Sequence, residues 1–264
     1  MSETAPSIRF TVFTKRWKMP LAELGELVAG LGFWGVELPV RPGYQVEPDR
    51  VAAGLPEAAR ILGQAGVKIH SVAGPTNEAT IAACAEVGAP VLRVMAYIGE
   101  ESYLAAETRL RHEYDALLGL LEKYGVTLGI QNHCDEWVGS AIGLRRLIEP
   151  YDPRYIAAVW DPAHCALNGE PPYLAADIVW DRLCLVNLKN AFWRLQTGPE
   201  AEVARWEWYW TTGRRGLAHW PSVAAELKKR SYRGVVCLSA EYSDEAAGDR
   251  LIADDIAFAK SLLV

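Results

Sequence analysis

The chain has 264 residues, half of them hydrophobic and 23% charged, with a net charge of −6. That balance describes a soluble globular protein large enough to bury a full core. It argues against a nucleic-acid surface, which is usually basic. No apolar run approaches the ~18–20 residues that span a bilayer, so no membrane partner is expected. Residues 1–7 carry neither a basic nor an apolar secretory segment. The five cysteines (Cys84, Cys134, Cys165, Cys184, Cys237) are scattered without a CxxC pair, which suits buried thiols in a reducing cytoplasm.

The first strand is expected over residues 8–13, followed by apolar residues at helical spacing over 20–28 that stop at Gly30 and Gly32. A second strand, 34–38, ends beside a carboxylate, Glu37. A helix over 47–65, closed by Gly66, leads to a third strand at 67–72. Residues 76–87 read as a helix with Thr76 or Asn77 as N-cap and Gly88 as its stop. A fourth strand at 91–95 precedes a long helix over 101–124, ended by Gly125. Strand five is 126–133, a helix follows over 141–148, and strand six runs from 155 to 161. Residues 174–180 read as helix, 183–189 as strand seven, 220–230 as helix, 234–241 as strand eight and 246–262 as the last helix.

Eight strands thus alternate with eight helices, and the strands are apolar runs, as in parallel sheets covered on both faces. With no linker or low-complexity break, the pattern predicts one α/β domain over residues 1–264, a (β/α)₈ barrel. A doubly wound open sheet is the runner-up, but no glycine-rich phosphate loop follows the first strand. The one long irregular insertion, residues 190–216, carries Phe192, Trp193, Trp206, Trp208, Tyr209 and Trp210 with four arginines. Following strand seven, it lies over the face where barrel sites are built. It reads equally as a lid or sugar-stacking wall and as an interface in a homo-oligomer.

In a barrel, strand ends converge on one mouth. The residues ending these strands are Glu37, His70, Arg93, Gln131 with Asn132 and His133, Asp161 with His164, Asn187 with Lys189, and Glu241. A polar group at nearly every terminus exceeds what capping requires and marks the candidate site. Asp161 and His164, three residues apart, read equally as a metal or substrate pair and as a local turn cap. Cys134 and Cys165 lie beside the site without a setting that would make either a nucleophile.

From residues 32–38 to Ala240-Glu241 the chain resembles the xylose isomerase-like barrel superfamily, in its sugar phosphate isomerase/epimerase branch. The most specific segments are Gln131-Asn132-His133, Asp161-Pro162-Ala163-His164 and Val186-Asn187-Leu188-Lys189. The resemblance implies one divalent metal (Mn, Mg or Co) held after strands five to eight by Glu, Asp, His and Glu. Here those positions are Gln131, Asp161, Asn187 and Glu241. Two depart from the pattern, which leaves two carboxylates and two neutral amides and weakens any metal site. His164 could compensate as a ligand.

The resemblance further implies two Glu residues that pass a proton through a cis-enediolate. Gln131 cannot exchange a proton, so Glu241 is the remaining base, with Lys189 and His164 as catalytic companions. One base suffices for aldose–ketose isomerisation or elimination and falls short of two-base epimerisation, unless Glu37 or His133 serves as a second group. Glu37, His70, Arg93, Asn132, His133 and Trp193 are expected around a carbohydrate-like substrate. The absence of a phosphate cradle favours an unphosphorylated one. The competing reading is a metal-free, catalytically degraded barrel that binds a carbohydrate or acts with a partner subunit. An apurinic endonuclease would need more histidines and a basic groove. A glycosidase would need carboxylates where Met95 and Lys189 stand.

Overall fold

The computed structural model describes residues 8–264; the segment read above for a secretory signal lies outside them. In chain order the elements are β1 (Arg9–Phe13), α1 (Leu21–Gly30), β2 (Gly35–Pro39), α2 (Val51–Gln64), β3 (Lys68–Ala73), α3 (Glu78–Val87), β4 (Val91–Met95), α4 (Tyr103–Tyr124) and β5 (Thr127–Gln131). Then come α5 (Ala141–Ile148), β6 (Ile156–Trp160), α6 (Pro162–Leu167), α7 (Pro172–Val179), β7 (Leu183–Leu188), β8 (Asn190–Leu195), β9 (Trp206–Thr211), α8 (Trp220–Lys229), β10 (Val235–Leu238) and α9 (Gly248–Leu263). Eight strands close into a parallel ring in the order β1-β10-β7-β6-β5-β4-β3-β2. The fold is a (β/α)₈ barrel.

Side-chain alternation divides the core in two. Val12, Val36, Val72, Leu92, Leu128, Ile130 and Val186 face outward into the helix layer. Phe13, Ala73, Val159, Leu185, Val235 and Cys237 pack inside the ring. Gly129 allows that inner packing, because a Cβ there would lie 2.7 Å from Val159 and 2.9 Å from Val91. The helix boundaries follow the expected chemistry. Asn77, Ser102 and Ser140 accept from backbone N–H groups in the first turns of α3, α4 and α5. Gly88 and Gly125 end α3 and α4 in the left-handed conformation, at φ 70° and 65°. No described helix is long and apolar enough to cross a membrane.

Two elements differ from the sequence reading. Residues 162–167, expected as a turn, form the short helix α6, because Asp161 caps it and Pro162 occupies its first position. The insertion 190–216, expected to be irregular, contains an antiparallel hairpin of β8 and β9, pairing Phe192 with Tyr209, Trp193 with Trp208 and Leu195 with Trp206. Aromatic residues favour extended chain, and opposite each other they stabilise the pair by cross-strand contact. Conspicuous aromatic content was the strand signal.

The hairpin is moored at its base by one buried amide. Asn190 donates through Nδ2 to the carbonyls of Gly213 (3.0 Å) and Ala218 (2.8 Å). Its Oδ1 accepts from the N–H groups of Ala191 (3.0 Å) and Ala218 (2.9 Å). Asn190→Ala leaves buried backbone groups without partners and is expected to destabilise the protein by about 3 kcal/mol. The midpoint of urea unfolding measures this, with Asn190→Asp recovering only the acceptor half.

Candidate active site

The strand ends surround a narrow well of about 80 Å³ lined by Phe13, Lys15, Arg41, Arg93, Met95, Gln131, His133, Asn187, Lys189, Ser239 and Glu241. A 450 Å³ cleft opens beside it across Lys15, Trp210 and Glu241, and another of 440 Å³ across Arg41, Gly74 and Arg93. At its centre stands Lys189, just past the end of β7 and 6% exposed. Its Nζ donates to Glu241 Oε2 at 2.9 Å, lies 3.9 Å from Asp161 Oδ2 and sits 4.4 Å from the centroid of the Trp210 ring. Burial alone would lower the Lys189 pKa, but the charges of Glu241 and Asp161 raise it, so the ammonium persists.

Glu241 also accepts from Lys15 Nζ at 3.0 Å. Burial would raise its pKa. The charges and hydrogen bonds of Lys189 and Lys15 overcome that and hold it far below the ordinary carboxylate range. Asp161 has no exposure. Its Oδ1 accepts from the N–H groups of Ala163 and His164, capping α6, while Oδ2 accepts from Gln131 Nε2 at 2.8 Å. Of its two sequence readings the cap is seen directly; Asp161 itself lies behind the well lining and reaches the site through Gln131 and the field it exerts on Lys189. Burial pushes its pKa up to about 6 against the opposing pull of Lys189 and the two N–H groups.

Behind this centre runs a relay of side chains. Arg93 NH1 donates to Gln131 Oε1 at 2.7 Å, and Arg93 also grips Glu37 Oε1 through Nε at 2.8 Å and through NH2. Ser71 donates to Glu37 Oε2 at 3.1 Å. Glu37 has no exposure and is the counter-ion of Arg93, out of reach as a second acid or base. Asn132 is equally enclosed. It accepts from Asp161 N–H at 2.8 Å and donates to the Asp161 carbonyl at 3.0 Å, tying β5 to β6 and leaving nothing for substrate. His70 packs edge-on against Trp34, where the β2–β3 register slips, and does not line the well. Trp193 uses its indole N–H on the Leu167 carbonyl and does not line the well; Trp210 is the hairpin residue that covers Lys189.

The two site histidines hold opposite tautomers. His133 Nδ1 is 2.8 Å from the Cys134 carbonyl and must donate to it, which leaves a lone pair on Nε2. His164 Nδ1 accepts from the Cys134 N–H at 3.1 Å, so the proton of neutral His164 is on Nε2. That buried Nε2 has no hydrogen-bond partner and lies 3.7 Å from Asp161 Oδ2. The ring centroids lie 3.9 Å apart, with the planes tilted by 36°. Burial, then the charge of Lys189, lowers His133 to about 4 and His164 well below its ordinary value. Burial keeps the Cys134 thiol protonated, its pKa raised to about 11. Lys15, Arg41, Phe13 and Trp210 are site residues that sequence reasoning did not assign. Lys15 and Phe13 flank the end of the first strand, the one terminus left out of that list.

The donor set does not fit a divalent metal. Arginine only donates, so Gln131 must turn Oε1 to Arg93 and its NH₂ to Asp161, which removes it as a ligand. Lys189 and Lys15 already occupy both Glu241 oxygens. A divalent ion ~4 Å from the Lys189 ammonium would meet a repulsion of about 8 kcal/mol at an effective dielectric near 20. Asn187 Oδ1 is buried without a partner, but it is one neutral oxygen. The atoms of His133, Cys134 and His164 do gather within 4.8 Å. In that cluster burial holds the thiol pKa up to about 11 and His164 presents N–H, so a metal would have to displace both protons.

A family model described as xylose isomerase-like TIM barrel matches residues 26–262. The chain belongs to that family. No curated protein sequence matches the chain. Among solved structures it is similar to D-psicose 3-epimerase with D-tagatose from Clostridium cellulolyticum H10, at 12% identity and TM-score 0.75 over 97% of this chain and 99% of that one. It is similar to 3-keto-D-glucoside 4-epimerase from E. coli, at 14% and 0.73 over 97% and 100%. A xylose isomerase domain protein from Planctomyces limnophilus matches at 16% and 0.73 over 99% and 98%. At such identities the likeness is one of fold.

The tautomers have a direct spectroscopic consequence. Long-range ¹H–¹⁵N spectra should show His133 as the Nδ1–H form and His164 as the Nε2–H form. Both are expected to stay neutral as pH falls from 8 to about 5, because a lowered pKa delays protonation. A site imidazolium near pH 6 contradicts the geometry.

Proposed function

We propose that this barrel is a sugar or polyol isomerase that moves a proton between a carbonyl carbon and its hydroxyl-bearing neighbour through an enediolate, with Glu241 as its single base. The observation that supports this most is the Lys189–Glu241 pair at the well, an anionic base beside a fixed positive charge. Family membership and the epimerases among its structural neighbours support the sugar class. The substrate carbonyl and adjacent hydroxyl would enter along Lys189. Glu241 would take the proton from the carbon bearing the hydroxyl and return it to the former carbonyl carbon on the same face, while the hydroxyl proton passes to the former carbonyl oxygen. The depressed Glu241 pKa makes it a weak base, but the positive charge that depresses it also acidifies the carbon by stabilising the developing oxyanion.

His133 supports one-base isomerisation over epimerisation. It stands three strands round the ring from Glu241, on the far side of the well. A group whose pKa is near 4 does not readily carry a proton at neutral pH. With Nε2 unprotonated, it accepts a hydrogen bond from a substrate hydroxyl instead. Asn187 Oδ1, which lines the well and is unpartnered, supplies a second acceptor; His164, fully buried and not among the lining residues, points its Nε2–H toward Asp161 instead. Arg41 lines the well with no carboxylate within ion-pairing distance among the described residues, so it is available to a substrate oxygen. The aromatic hairpin covers the mouth. A carbohydrate-like ligand, a location inside the cell and assembly into a homo-oligomer complete this reading.

The second reading, a barrel that binds a carbohydrate without turning it over, draws on Glu241 being held by two ammonium groups at once. One experiment separates them. Aldoses and ketoses of four to six carbons are incubated with the protein in D₂O, and carbon-bound deuterium is followed by NMR. Isomerisation predicts exchange that Glu241→Gln slows by about 10²–10⁴-fold. Saturable binding of a sugar with no exchange in the wild-type protein favours the second reading, and exchange that survives Glu241→Gln removes the assigned base.

A further inference from the structure

We propose that Lys189 is a built-in replacement for the divalent cation of related barrels, with its ammonium standing where the metal would be held and taking over its charge. The role given to substrate rests on the isomerase reading above; the replacement itself does not. Three observations carry it. First, the Nζ atom lies between Glu241 and Asp161, the two carboxylates that survive at the family's ligand positions. Second, the two positions that lost a ligand have been rewired compatibly with a fixed cation. Gln131 donates its NH₂ to Asp161 Oδ2, the oxygen that faces the ammonium at 3.9 Å, and is locked there by Arg93, so no Gln131 oxygen is offered to a metal. Asn187, in place of an imidazole, brings a small neutral amide whose oxygen stays unpartnered. Third, Trp210 closes over the ammonium at 4.4 Å, giving it a π-face suited to a single, partly desolvated charge.

The substitutions are coherent as a set. The ligand set that the resemblance implies carries three carboxylates, whereas one ammonium is balanced by one carboxylate in contact and a second nearby. Replacing Glu by Gln and His by Asn removes one negative charge and one metal-preferring nitrogen in step with the change from a doubly to a singly charged centre. The ammonium adds what a metal lacks, three N–H donors, of which Glu241 takes one. The remaining donors can meet the two adjacent oxygens of an enediolate, without the pKa of any group having to change.

The test uses Mn²⁺ as probe and needs no substrate. Wild-type protein purified without chelators should contain no stoichiometric metal, show no saturable Mn²⁺ binding up to about 1 mM by calorimetry, and unfold at the same temperature with and without EDTA. Restoring the ligands alone, in Gln131→Glu with Asn187→His, should leave Mn²⁺ binding weak because Lys189 still fills the centre. Adding Lys189→Met to that pair should raise Mn²⁺ affinity at least about tenfold over the double variant. Stoichiometric metal in the wild type, a double variant that binds as tightly as the triple, or no gain in a folded triple overturns the assignment. If the triple variant fails to fold, the wild-type metal content and Mn²⁺ titration still decide. If the metal results come out as expected and no sugar exchanges deuterium, the isomerase reading falls while the replacement stands.

Discussion

A lysine ammonium buried between two carboxylates is the constraint on which the rest of the site depends. Lys189 is almost fully enclosed, so its charge must be compensated inside the barrel; a lone buried cation would lose its proton or unfold its surroundings. Glu241 supplies contact at 2.9 Å and Asp161 a field from 3.9 Å. Asp161, itself wholly buried, then needs donors, which α6 provides through two backbone N–H groups and Gln131 through its amide. Glu241, at the better exposed end, takes a second ammonium from Lys15. Each group is tolerable only because the others are present, so removing one member should cost more than any single pair suggests.

The same logic sets direction in the outer ring. An amide can face either way, but between a guanidinium that only donates and a carboxylate that only accepts, Gln131 has one orientation. Arg93 in turn is fixed by Glu37, and Glu37 by Ser71. A chain of polar groups reaching from β3 to β6 thus converts the identity of one residue, Gln instead of Glu, into a geometry that withholds an oxygen from the well. The histidines follow the same rule. The Cys134 backbone presents its N–H to His164 and its carbonyl to His133, and one residue's main chain imposes opposite tautomers on two neighbouring rings.

Much of this was legible in the residues. Apolar runs eight times over, each followed by a helical period, specify the barrel, and a barrel gathers strand ends at one mouth. That brought Arg93, Gln131, His133, Asn187, Lys189 and Glu241 to the well, with Asp161 and His164 buried behind them. Illegible were the pairings within it. Glu37 and Asn132 end strands just as Glu241 does, yet the first is enclosed by Arg93 and the second by the Asp161 backbone. Sequence position gives the end of a strand but not how far a side chain is overlaid. Lys15 and Arg41 escaped because each lies a few residues beyond a strand, in loops whose course depends on tertiary contact. Trp193 and Trp210 are both hairpin tryptophans, and only the register decides which one reaches Lys189.

The hairpin matters for the same electrostatic reason. Trp210 touches the ammonium with its ring and meets His164 edge-on at 5.4 Å. Its backbone exchanges hydrogen bonds with Ser243, just after Glu241, at 2.9 and 3.0 Å. On the paired strand, at the same base, the hairpin is moored by Asn190, directly after Lys189. One insertion therefore begins beside the cation, folds back over it and attaches beside its counter-ion. Covering Lys189 lowers the local dielectric, which strengthens its attraction for Glu241 and for any oxyanion that replaces water there. The exposed faces of Trp193, Trp206 and Trp208 are then the outer side of a cover whose inner side is part of the site. Pairing with β8 fixes the position of Trp210 along β9, and with it the indole over the charge. That placement accounts for an antiparallel hairpin at the one place where the βα repeat is interrupted.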